Sequence, residues 1–154
     1  MTEEKNLPVQ TRVIDRLKEP VNYDILIKAV GDEKKLEKFL ANVGMEVAMQ
    51  PTLQSCTPSS IISSALKAAS IGLMPSKELG HAWLIAYNNS YQDADGNWKK
   101  KKECQLQIGY KGYISKFEEN GYSIEVELVT LEEIEKGFFK EVRGTNPKIE
   151  PRRS

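Results

Sequence analysis

The chain has 154 residues, 40% of them hydrophobic, and its 22 basic side chains balance 22 acidic ones. That length carries one domain with a core of its own, and two full domains would be cramped. A net charge of zero excludes a uniformly basic nucleic-acid binder, no run approaches the ~20 apolar residues of a membrane span, and MTEEKNLPVQ lacks the apolar stretch of a secretion signal, so a cytoplasmic protein is expected.

The first half reads as helices. Val13, Ile14 and Leu17 form an apolar stripe ended by Pro20, and Tyr23, Ile25, Leu26 and Val30 form a second ended by Gly31. A third begins near Asp32 and uses Leu36, Phe39, Leu40, Val43 and Val47 before Pro51 closes it, with Gly44 a candidate break inside the pattern. The fourth, in CTPSSIISSALKAASIGLMP, is the best defined. Thr57 is its candidate N-cap, Pro58 suits the first helical position, and Gly72 and Pro75 mark its end. Its small residues (Ser63, Ser64, Ala65, Ala68, Ala69) allow another element to approach closely.

Strands follow. GHAWLIAYNN is an apolar run of strand length with Trp83, Ile85 and Tyr87 on one face, and CQLQI alternates, with Cys104, Leu106 and Ile108 facing one way and Gln105 and Gln107 the other. Between them lie the turn signal DADGN, then Trp98 and the run Lys99, Lys100, Lys101 and Lys102. This predicts a long β-hairpin with a basic, tryptophan-bearing arm; the alternative is a solvated loop whose lysines only aid solubility. In QLQIGYKGYI the period changes from two to that of a helix: Tyr110, Tyr113, Ile114 and Phe117 share one face, Lys111 sits roughly 100° away, and Asn120-Gly121 ends the element. YSIEVELV reads as a further strand with Ile124, Val126 and Leu128 inward and Glu125 and Glu127 outward. GFFKEVRG reads as one more, and TNPKIEPRRS as loop.

Catalytic chemistry is hard to assemble from these residues. Cys56 and Cys104 form no CxxC pair and read as buried apolar residues, and the single histidine, His81, sits in an apolar stretch as a core or hydrogen-bonded side chain. GxxxxGK[ST] and GxSxG motifs are absent, and Asp93 and Asp95, the imaginable ligands of a nuclease metal, belong more simply to the DADGN turn. Charge is nevertheless segregated along the chain. Residues 97–111 carry five lysines against Glu103, whereas residues 123–141 carry six glutamates against Lys136 and Lys140. One face can therefore attract a polyanion that another repels.

A helix beginning at Gly109 or Tyr110 points free N–H groups and partial positive charge outward from its N-terminus; glycine admits a ligand near the backbone, and Lys111 adds a full charge. An anion is the natural guest. With the hairpin lysines nearby, a repeating anion such as a nucleic-acid backbone fits better than one phosphate, and Trp98, Tyr110 and Tyr113 are candidate stacking platforms. The competing reading makes the glycines a tight turn and the tyrosines core.

The order of CTPSSI, ASIGLMP, LGHAWLIAY and QIGYKGYI, with a hairpin before the last, resembles the RecT family of phage and prophage single-strand DNA annealing proteins, from about the third helix onward. The resemblance implies ATP-independent annealing of complementary strands, without cofactor or obligate metal, by a homo-oligomer that holds single-stranded DNA and the annealing duplex in a basic groove. It also implies a 5′ to 3′ exonuclease partner and the cytoplasm of a bacterial host. Within the GYKG-type corner, Lys111 matches a basic position expected to meet phosphate, with Gly109 and Tyr110 beside it. The hairpin matches an element expected to lie against DNA, while Trp98 and Lys99 to Lys102 are candidates from chemistry and not matched positions.

The expected fold is α+β: an N-terminal helical cluster, then an antiparallel β-sheet of three or more strands with the Tyr110–Asn120 helix packed on it. Leu106, Ile108, Tyr113, Ile114, Phe117 and Val126 are expected in the core. Residues 1–154 are expected to form a single domain incomplete at its C-terminal side, residues 1–75 helical and 80–154 carrying hairpin, helix and strands. The expected function is non-enzymatic binding and annealing of single-stranded DNA. The alternative is a protein-interaction or assembly fragment without DNA binding.

Overall fold

In the computed structural model, which describes residues 7–124, 126, 128–142 and 148–151, helix boundaries follow local chemistry. Helix α1 spans Val9–Leu17, α2 Pro20–Val30, α3 Glu33–Met49, α4 Pro51–Gln54 and α5 Pro58–Ser70. Pro20, Pro51 and Pro58 each occupy a first helical position, where the missing N–H costs nothing. Pro20 and Pro51, read from sequence as stops, thus also open the next helix. Asp32 caps α3 by accepting a hydrogen bond from Lys35 N at 3.1 Å. Helix α3 runs unbroken through Gly44, because the missing side chain there makes room for Ile14 of α1.

The apolar faces of α1 to α5 meet in one cluster centred on Leu17, Leu26, Leu36, Val43, Val47 and Ile61. One buried polar side chain locks the exit from the bundle: Asn42 Nδ2 donates to the Pro75 carbonyl at 2.6 Å. Strands β1 (Ala82–Gln92) and β2 (Trp98–Ile108) then form an antiparallel hairpin in register from Ala82↔Ile108 to Gln92↔Trp98. Its turn is built by Asp93, whose Oδ1 accepts from Asp95 N at 3.0 Å and Asn97 N at 2.9 Å, while Gly96 takes the left-handed conformation the turn needs (φ 82°).

Helix α5 holds the hairpin by its open edge. Thr57 N donates to the Lys102 carbonyl at 3.1 Å, Ser60 Oγ accepts from Cys104 N at 2.9 Å, and Ser64 Oγ donates to the Cys104 carbonyl at 3.0 Å. Serines four residues apart on α5 thereby satisfy both backbone groups of a strand residue that has no neighbouring strand on that side. Leu84 and Cys104 enter the helical core through this junction, with Ala86 and Leu106 packed against it. Helix α6 (Tyr110–Glu119) follows β2 directly.

Residues 1–122 form one compact unit and residues 123–154 another. In the second, α7 (Leu131–Glu135) starts with a capping box, Glu133 N donating to Thr130 Oγ1 at 3.2 Å and Thr130 N to Glu133 Oε2 at 2.9 Å. Strands β3 (Phe139–Val142) and β4 (Lys148–Pro151) pair antiparallel.

The class is α+β, as the sequence predicts, but several particulars differ. Among the described residues each sheet has two strands. The segment expected to be a strand with Ile124, Val126 and Leu128 inward has no strand among its described residues, and Val126 and Leu128 are exposed, at 56% and 89%; Glu125 and Glu127 lie outside the described residues. Alternation supplies a strand only when an edge is available to pair with. GFFKEVRG does hold a strand, while TNPKIEPRRS, expected as loop, contains β4.

Ser64 is the buried anchor of the α5–β2 junction, so Ser64→Ala leaves the Cys104 carbonyl without its partner and is expected to cost about 1–3 kcal/mol in urea unfolding followed by circular dichroism. Ser59→Ala, on the exposed side of the same helix, should cost under about 0.5 kcal/mol. Equal effects would show that the junction hydrogen bond is dispensable.

Candidate nucleic-acid interface

The corner between β2 and α6 is tight for an internal reason. Gly109 N donates to the His81 carbonyl at 2.9 Å, and the Gly109 carbonyl accepts from Gly112 N at 2.9 Å and Tyr113 N at 3.2 Å. A Cβ on Gly109 would collide with the Gly80 carbonyl oxygen and come within 2.7 Å of the Trp83 ring; one on Gly112 would collide with the His81 carbonyl oxygen. Both bare backbones are thus occupied by the chain's own β1 entrance. The tight-turn reading of the glycines is correct as geometry, and the surface at the corner is formed by the residues beside them.

Those residues are exposed. Lys111 has no carboxylate within ion-pair distance among the described residues, and a Cβ on Gly80 would touch both the Lys111 stem and the Trp83 ring at 3.7 Å. Its ammonium therefore extends from an aliphatic stem laid over the protein. Helix α6 has no side-chain cap and no acidic residue in its first turn, so its own residues leave the partial positive charge there unneutralised. Tyr110 and Tyr113 are 59% and 54% exposed and Phe117 is 46% exposed. The expectation that Tyr113 and Phe117 lie in the core is therefore overturned; Leu106, Ile108 and Ile114 are half-buried. An apolar stripe reports a face that repels water, and in this unit that stripe is uncovered.

The other candidates lie at the opposite end of the hairpin. Trp98 pairs with Gln92 beside the turn and Ile108 with Ala82 at the base, so Trp98 and Gly109 are roughly 35 Å apart at ~3.4 Å per strand residue. Gly109, Tyr110 and Lys111 are grouped, Trp98 and Lys99 to Lys102 are grouped, and the two groups mark the ends of one ribbon.

Alternation splits the lysine run. Lys99 opposes Tyr91, and Lys101 opposes Asn89 on the same face; Lys100 opposes Ser90 and Lys102 opposes Asn88 on the other, the face that carries Trp98. Lys99 Nζ pairs with Asp93 at 2.8 Å and Lys101 Nζ with Glu103 at 2.7 Å, Lys101 also lying 5.4 Å from the centre of the Tyr91 ring. The Lys99 ammonium, then the Asn97 amide, hold the Asp93 carboxyl below its usual range; Lys101, then Asn89, do the same for Glu103. Lys100 and Lys102 have no ion pair among the described residues. The sequence alone presents the four lysines as one patch and gives no role to Tyr91, whose spacing of four from Tyr87 in AYNNSYQ is the available signal.

Both cysteines are free and buried, and burial pushes the Cys104 thiol up to about 11 and raises that of Cys56, so neither supplies thiolate near neutrality. Asp93, weighed as a metal ligand, spends its carboxylate on the turn and Lys99. Among the described residues no cluster of three or more metal-ligating side chains occurs, and no helix is long and apolar enough to cross a membrane.

The model of the RecT family matches residues 37–147. Protein RecT of Escherichia coli (strain K12) is 29% identical over 102 residues, 66% of this chain and 36% of that protein. The uncharacterized protein YqaK of Bacillus subtilis (strain 168) is 32% identical over 113 residues, 72% of this chain and 35% of that one. The chain thus spans about a third of the length of these curated relatives. No solved structure matches it.

Because the Gly112 Cα faces the His81 carbonyl, Gly112→Ala is expected to cost about 1–3 kcal/mol through overpacking, read as a lower urea midpoint by circular dichroism. Gly121→Ala serves as a contrast of another kind: its strain comes from a positive φ with open space around it, and it should spare the corner. An unchanged midpoint for Gly112→Ala would refute the packing role.

Proposed function

The chain belongs to the RecT family, and on that premise we propose that it binds single-stranded DNA and anneals complementary strands without nucleotide hydrolysis or an obligate metal. The observation that carries this reading is the layout of its exposed aromatic and cationic side chains, strung along about 35 Å of ribbon from Lys111 and Tyr110 to Trp98 and the lysine arm. A line of that length suits an extended polyanion: it corresponds to roughly ten nucleotides at the B-form rise of about 3.4 Å. In this proposal Lys111 meets a phosphate, Tyr110 and Trp98 stack on bases, and Gly109 keeps the corner close to the hairpin. Stacking on aromatic rings tolerates any sequence, as annealing requires. The homo-oligomer, the 5′ to 3′ exonuclease partner and action in the cytoplasm of a bacterial host belong to the same proposal.

A second reading, an assembly or protein-interaction fragment without DNA binding, is favoured by one observation: the α6 stripe of Tyr110, Tyr113 and Phe117 is open to solvent. Salt separates the two, because phosphate contacts release counterions whereas an apolar interface does not.

Anisotropy of a fluorescein-labelled oligo-dT titrated with the chain at several salt concentrations should show affinity falling linearly on logarithmic axes. Lys111→Ala should flatten that slope by about 0.7, the contribution of one single-strand phosphate. Trp98→Ala should cost about 1–3 kcal/mol of binding and leave the slope alone. Salt-independent binding, or none at low salt, would overturn the DNA reading.

A further inference from the structure

The arm's two faces differ in charge although its sequence reads as a uniform KKKK. We infer that the arm grips the nucleic-acid backbone with one face only, through Lys100 and Lys102 in line with Trp98, and that Lys99 and Lys101 are structural residues that hold the arm's shape. This rests on the DNA-binding reading and narrows it to named side chains.

On the Lys99–Lys101 face each ammonium sits within 2.8 Å of a carboxylate, so that face carries no net charge, and Asp93 and Glu103 would repel a phosphate brought against it. Both carboxylates stay ionised at neutrality, held below their usual range by those same ammoniums and by loop or amide donors. The carboxylates are also fixed in place: Asp93 is tied to the Asp95 and Asn97 amides, and Glu103 accepts from Asn89 Nδ2 at 2.6 Å. The opposite face has two ammoniums and no acid, and their cross-strand neighbours, Ser90 and Asn88, are uncharged hydrogen-bonding groups that suit phosphate oxygens. Lys102 adjoins the start of α5 through the Thr57–Lys102 hydrogen bond, so the partial positive charge of that 13-residue helix adds to its own. Trp98, 73% exposed, lies on this face next to Lys100. Same-face side chains recur about every 7 Å along a strand, which places a ring and two cations in one line along a single bound strand.

Three variants of the full 154-residue chain, titrated into fluorescein-labelled oligo-dT over a range of sodium chloride concentrations, test this. Lys100→Ser with Lys102→Ser should flatten the salt slope by about 1.4, two single-strand phosphates, and weaken low-salt binding by ~10-fold or more. Removing both ion pairs together, by Asp93→Asn, Lys99→Ser, Lys101→Ser and Glu103→Gln, should leave slope and affinity within about threefold of the parent while making the arm's amides exchange faster with solvent. Asp93→Asn with Glu103→Gln keeps the turn acceptor and the lysines, and should steepen the slope as Lys99 and Lys101 become free to bind. If the ion-pair variant flattens the slope as much as the Lys100/Lys102 variant, the lysines act as one diffuse patch and the inference is wrong. If the parent binds and no variant differs from it, the arm is not the contact: the inference fails and the DNA reading stands on the corner alone. If the parent binds no oligonucleotide, the DNA reading itself has failed.

Discussion

A two-stranded ribbon is marginal in water on its own, and this one rests on the hydrogen bonds that α5 makes to the free edge of β2. Ser60 and Ser64 satisfy the amide and carbonyl of Cys104, and Thr57 reaches the Lys102 carbonyl. These bonds convert an exposed edge into a buried junction and bring Leu84 and Cys104 into the helical core. Beyond Lys102 no such hydrogen bond from α5 occurs among the described residues, and from Asn88↔Lys102 to Gln92↔Trp98 the ribbon continues as an arm. The position of the last supporting bond therefore decides where core ends and arm begins.

A second crossing fixes the ribbon's other end. The Gly80–Trp83 segment passes so close to Gly109 and Gly112 that neither can carry a side chain. The start of α6 is consequently pressed against the base of the hairpin, and Lys111 and Tyr110 emerge at the rim. The serine junction and the glycine crossing act through different physics, one through satisfied polar groups and the other through excluded volume. Together they present two groups of cationic and aromatic side chains at the ends of one hairpin.

Much of this was legible from sequence wherever the signal was local. Thr57-Pro58 announced the start of α5, DADGN announced the turn, and the change of period at Gly109 announced the strand-to-helix corner; each depends on a few neighbouring residues. Readings that depended on distant partners fared differently. Tyr113 and Phe117 lie on an apolar face, but periodicity cannot say what covers a face. Val126 and Leu128 alternate like a strand, yet no described neighbour pairs with them. In the GYKG corner, sequence identified that a bare backbone was required without revealing that His81 and Gly80 were what it accommodates. The lysines read as four equal charges because the acids that single out two of them, Asp93 and Glu103, take their partners only once the hairpin closes.

Four identical residues in a row raise a problem of registry. A strand reading KKKK cannot tell one alignment from the next by its own side chains, and a slip by one residue would turn each lysine to the opposite face while leaving a lysine in nearly every place. The information that forbids the slip sits at the margins. The Asp93–Lys99 pair ties the loop to β2, and Asn89 reaches across from β1 to Glu103. The two carboxylates thus serve as index marks on an otherwise repetitive ruler, and the monotony of the run is tolerable because its neighbours do the counting.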